Sequence, residues 1–229
     1  MKRRSPEFRE CASHPQAHNS TVRRQDMALN LATMHGFVVK EVASKRTLRE
    51  SMDRVIARCA KGRPHEDWER LAALPYDGLD DLREWIKKPF REEPSQEKLA
   101  GLWFGLFNPV YSSKPVADIY VCGSTRFDPS PDDNSWAIGP DWWPEGRYAH
   151  SSVLAKLYKI AYRKDGIGND AEYPLCLAYG SLAVRDLLRD AAPSVLLGSS
   201  RSLGIAVGFD SGDFVLVGKL SKVGLVSLS

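Results

Sequence analysis

The sequence predicts an α+β protein: a mostly antiparallel sheet of about four to five strands, packed by helices and preceded by an N-terminal helical annex. Three observations predict it. Helix-period apolar patterns occupy residues 48–86, strand-like runs begin only after residue 101, and residues 175–184 are apolar nearly all round over a helical length. The chain divides accordingly into a basic extension at 1–26, a helical annex at 27–100 and an α+β core domain at 101–229.

In chain order, Phe37 to Val42 is a short apolar run whose periodicity does not settle its type. From Thr47 a helix is clear, because Leu48, Met52, Val55, Ile56 and Cys59 share one face, and Gly62 and Pro64 end it. A second short helix carries Trp68, Leu71 and Leu74 and stops at Pro75. Asp77 is placed to cap a third, with Leu79, Leu82, Trp85 and Ile86 on one face and Pro89 beyond its end. Ser95 is placed to cap a brief fourth.

Leu102 to Phe107 reads as a strand, and Asp118 to Cys122 alternates, so the two can pair as a hairpin. Ser151 caps a helix with Val153, Leu154, Leu157, Tyr158 and Ala161 inward. The next helix is the most buried, with Pro174 in its first turn, where a missing N–H is tolerated. Its small residues Ala178, Gly180, Ser181 and Ala183 allow another element to approach closely. The chain closes with a hairpin of Leu203–Phe209 and Phe214–Leu220 around Asp210-Ser211-Gly212-Asp213, where Gly212 supplies a positive φ.

The net charge of +3 is unevenly spread. Residues 1–26 hold six bases and three acids, which leaves 26 of the 32 bases and 26 of the 29 acids for the rest, a net of zero. The first 26 residues have few large apolar side chains and read as disordered, either a basic arm or a translated extension ahead of a start at Met27. Cys59, Cys122 and Cys176 sit in apolar patterns and read as buried thiols in a reducing, cytoplasmic setting. No apolar run reaches the roughly 18 residues of a membrane span.

Catalytic and metal motifs are weak. His14 and His18 have helical spacing but no helix or glutamate, and His150 precedes a helix cap, where a surface position competes with a general base. Gly123-Ser124 lacks the rest of a nucleophile elbow, and Gly198-Ser199-Ser200-Arg201 lacks a P-loop lysine and a following helix. Asp128, Asp132 and Asp133 lack the glycine and terminal glutamate of a calcium loop. Asp210 and Asp213 serve a turn, and Glu172 favours a helix N-terminus. No cofactor or metal is expected.

The informative stretch is Trp136 to Tyr148, W-A-I-G-P-D-W-W-P-E-G-R-Y, which holds three of the six tryptophans. Its glycines and prolines stop regular structure from running through it. From Asp118 to Glu145 six acids face one base, Arg126, a local charge of −5. Trp142 and Trp143 are adjacent, which leaves two readings: one core and one exposed anchor, or two core plugs.

Four runs carry a resemblance: Asp118–Ser124, Trp136–Tyr148, Gly168–Gly180 and Val207–Phe214. In these the second half of the chain resembles uncharacterised bacterial proteins of the kind that act as cognate immunity proteins of secreted toxins. The resemblance brings no catalytic residues with it. It implies a protein that binds and occludes a toxin domain without catalysis. The partner would be a toxin with a basic face, contacted by Asp128, Asp132, Asp133, Trp136, Asp141, Trp142, Trp143 and Glu145, with no direct contact to nucleic acid or membrane. The alternative is a small hydrolase-like enzyme using a carboxylate and His150.

Overall fold

A computed structural model describes residues 28–227, except 113, 131 and 211. The expectations for the basic extension at 1–26, with His14 and His18, lie outside the described residues. The fold is α+β, and its centre is a six-stranded mixed sheet.

The run left open around Phe37 is helical: α1 spans Leu31–Ala43, capped by Asn30, whose side chain accepts the Thr33 N–H. Helix α2, Leu48–Gly62, opens with a capping box between Thr47 and Glu50. Helix α3 covers Asp67–Ala72. The single helix expected from Asp77 is instead three short turns: α4 at Asp80–Arg83, a 3-10 turn at Trp85–Lys87 and α5 at Lys88–Glu92. Pro89 explains the break. It lies in the first turn of α5, where its missing N–H is harmless, not beyond a helix end. Asp77 caps nothing, and Ser95 bridges to Glu97 in a turn with no helix behind it.

Strand β1, Gly101–Phe107, and strand β4, Asp118–Ser124, pair antiparallel as expected, with Leu106 opposite Ile119. Between them β2, Val110–Tyr111, and β3, Lys114–Pro115, form a small separate hairpin. Strand β5, Tyr148–Ala149, borders β4. Helix α6, Ser152–Ala161, is capped by Ser151. Helix α7 runs Asn169–Asp190, so Pro174 is inside it, not in its first turn. Helix α8, Pro193–Leu197, leads to β6, Ser202–Phe209, and β7, Phe214–Ser221, the expected hairpin, with Gly212 at φ 119° in its turn. Strand β8, Gly224–Val226, adds an edge that the weak pattern of the tail did not reveal.

The strand order is β5-β4-β1-β6-β7-β8. The one parallel pair, β1 with β6, joins two antiparallel halves, and the edge strands β5 and β8 bring the sheet to six where about four to five were expected. Helix α7 crosses the sheet and touches β1, β6 and β7, as well as α1, α2 and α6. Gly180 makes the close approach: a Cβ there would stand 3.0 Å from Leu106 and 3.4 Å from Val207. The N-terminal helices share this one core, because Val38, Met52 and Leu71 cluster with Leu182 and Ile205.

Arg185 fixes α1 to α7. Its side chain is 1% exposed and donates to the carbonyls of Val42, Ser44 and Arg46 at 2.9–3.3 Å. Val42 lies in the last turn of α1, where a helix end leaves carbonyls without partners, Ser44 is its C-cap, and Arg46 lies in the connection to α2.

The opposite sheet face carries a second, smaller core of Trp103, Cys122, Trp136, Ala206 and Phe214, with Phe127 packed on it. Alternation along β1 and β4 sends Trp103, Tyr120 and Cys122 to this face and Phe104, Ile119 and Val121 to the helices. Gly105 makes room for Tyr120, whose ring lies within 2.1 Å of where a Cβ would be. Among the described residues, no helix is long and apolar enough to cross a membrane.

Candidate functional site

The site grows from the pairing of Tyr120 on β4 with Tyr148 on β5. Directly opposed residues place their side chains on one face. Their rings meet at 6.0 Å, Phe107 joins both, and Trp143 meets Tyr120 edge-on at 5.5 Å. The guanidinium of Arg147 lies 4.4 Å from the ring centres of both Trp143 and Tyr148. Tyr120 donates its hydroxyl to Asp210 at 2.7 Å, and burial together with that bond pushes its phenol up. Trp143 is 46% exposed and Tyr148 47%.

Trp142 goes the other way. Its backbone pairs with Gly123 through two 3.0 Å hydrogen bonds, its ring packs at a tilt against Phe90 with centroids 4.6 Å apart, and its indole N–H donates to Glu93 O at 2.7 Å. Trp136 is buried in the outer-face core, over the space left by Gly101. Of the three tryptophans expected at a contact surface, Trp143 alone is exposed. Trp136 and Trp142 are plugs, because the loop that holds them must cover the sheet's outer face and the β4 edge.

The acids remain on the surface. Asp128, Asp132, Asp133, Asp141 and Glu145 are exposed, and none forms an ion pair among the described residues. Asp128 and Asp133 accept the N–H groups of Ser130 and Ser135. Asp141 accepts the backbone N–H and hydroxyl of Thr125. Those backbone bonds, first of all, hold the Asp133 and Asp141 carboxyls below the usual range, so both stay ionised at neutral pH. Asp118 belongs elsewhere: it is fully buried, so the exposed charge of this stretch is five acids less Arg126, or −4.

Sequence reasoning missed three neighbours of this face. Glu93 accepts the Glu145 and Gly146 N–H groups, which hold its carboxyl low. Glu93, Glu97 and Asp141 line an open groove of about 420 Å³ walled by Trp142, Trp143 and Pro144, with no basic residue in its lining. Asp210, assigned to its turn, also holds Tyr120 beside Trp143. None of these carries a local motif, since Glu93 and Glu97 arrive from the α5–β1 connection and Asp210 from the β6–β7 turn.

His150 does meet a carboxylate. Its Nδ1 lies 3.0 Å from Asp118 Oδ1, and Asp118 also accepts the Tyr111 hydroxyl at 2.9 Å and the Ser151 N–H at 3.2 Å. The adjacent Ser151 hydroxyl caps α6 by accepting the Leu154 N–H, so it is not poised as a nucleophile. Among the described residues, no group of three or more His, Cys, Asp or Glu is arranged to hold a metal ion.

No family model, curated protein or solved structure matches the chain.

Proposed function

We propose that this chain is an immunity-type binding protein that occludes a toxin domain through the Trp143 face, without catalysis of its own. The observation that carries the reading is Trp143: half-exposed, held by Tyr120 and Arg147, and bordered by a groove whose only charges are carboxylates. Exposed Trp, Tyr and Arg are the residues that dominate binding energy at protein interfaces. Exposed carboxylates along the same loop, at Asp128, Asp132, Asp133, Asp141 and Glu145, favour a basic partner and speed its encounter. A toxin that acts on nucleic acid presents such a basic face.

The test is co-expression with the product of the adjacent gene. Wild type protects the host cell, and a folded Trp143→Ala/Tyr148→Ala variant does not. Equal protection by the double variant contradicts the reading.

A second reading, a small hydrolase, draws on the Asp118–His150 pair, since a buried carboxylate orienting a histidine is a general-base geometry. Loss of an activity in His150→Phe that leaves toxin binding intact would favour it.

A further inference from the structure

We propose that the contact face continues past Tyr148 to His150, and that His150 Nε2 accepts a hydrogen bond from an arginine or lysine side chain of the bound protein. This deepens the reading above and rests on it.

The geometry points to one tautomer. Asp118 is 1% exposed at its side chain, and its oxygens accept from the Tyr111 hydroxyl and the Ser151 N–H. A carboxylate is an acceptor, so the imidazole Nδ1 facing it at 3.0 Å carries the proton. The neutral ring then has its lone pair on Nε2. The edge of the Tyr111 ring, with centroids 6.3 Å apart, limits rotation of the imidazole. Its side chain is 57% exposed and lines an open groove of about 550 Å³ that also takes in Tyr148. Tyr148 and His150 line this groove together, and Tyr148 pairs with Tyr120, whose ring meets Trp143.

The charge of the surroundings selects the donor. Asp81, Glu84 and Glu92 line the same groove, and Lys88, one of its two bases, stands 3.9 Å from Glu92. The groove beyond Trp143 adds Glu93, Glu97 and Asp141. An acceptor set among carboxylates suits a cationic donor rather than a neutral one.

The experiment has two parts. Nitrogen-15 spectra of the His150 ring, taken on the free protein above the pH of ring titration, report the tautomer. The Nδ1–H form is expected, and an Nε2–H form overturns the inference. A hexaarginine peptide is then titrated against wild type, His150→Phe and Trp143→Ala, with hexaglutamate as control. His150→Phe should weaken hexaarginine binding by about three- to tenfold, the worth of one charged hydrogen bond at a half-open site. If Trp143→Ala weakens binding and His150→Phe does not, the role of His150 is overturned and the Trp143 face stands. If wild type does not prefer hexaarginine to hexaglutamate, or neither variant weakens it, both fall.

Discussion

Trp142 and Trp143 are neighbours in the chain and face opposite ways: Trp142 is 6% exposed and hydrogen-bonded to Glu93 O, while Trp143 is 46% exposed. They therefore separate stability from binding. Trp142→Ala should cost about 3–5 kcal/mol in chemical denaturation, as a buried aromatic truncation does. Trp143→Ala should stay below about 1 kcal/mol, the range of a surface change. Equal losses at the two positions would mean that Trp143 is part of the core.

Leu182 lies fully buried on α7, the helix shared by the sheet and the N-terminal helices. Leu182→Ala should cost about 2–5 kcal/mol by urea denaturation. A loss below about 1 kcal/mol would make α7 peripheral.

Arg185 is the polar counterpart. Replacing it with Met keeps the bulk and removes the donors that serve the Val42, Ser44 and Arg46 carbonyls. Of the three bonds only that to Val42 is buried, and leaving a buried acceptor without a partner costs about 1–3 kcal/mol, so Arg185→Met should lose at least about 1 kcal/mol. An unchanged denaturation midpoint would show that water serves these carbonyls equally well.

The thiols give a check without mutation. Burial pushes Cys59 and Cys122 up to about 12, and fully buried Cys176 also well above the ordinary range. At pH 8 all three are protonated as well as enclosed. They should react with a thiol reagent only after denaturant is added. Rapid labelling of Cys122 in the native protein would show that the loop over the outer sheet face opens readily.

Much of the fold was legible where the signal was local. The Thr47 cap and its apolar face marked α2, Ser151 marked α6, and the alternation around Gly212 marked the last hairpin. What was not legible depended on distance or on ambiguous residues. In α1, Gly36 and the valine pair Val38-Val39 weaken the helix signal, and packing against α7 decides it. The parallel pairing of β1 with β6 leaves no local mark in either strand. The acidic, tryptophan-rich stretch was visible as composition, but which indole faces out is set by the Trp142–Gly123 bridge. Likewise Tyr120 and Tyr148 become one surface only through the β4–β5 register, and the same pairing delivers His150 to Asp118.

The central claim is that the acidic, aromatic face around Trp143 is the contact surface for a basic partner. It is tested most directly by stopped-flow association of the purified product of the adjacent gene with wild type and with Asp132→Lys/Asp133→Lys, over a range of salt. Both aspartates are exposed, and the Asp133 carboxyl is held ionised, so reversal changes the local charge by four without touching the core. Slower association at low salt, with a flattened salt dependence and an unchanged melting temperature, is the predicted result. Association of the reversed variant at the wild-type rate at low salt would contradict it.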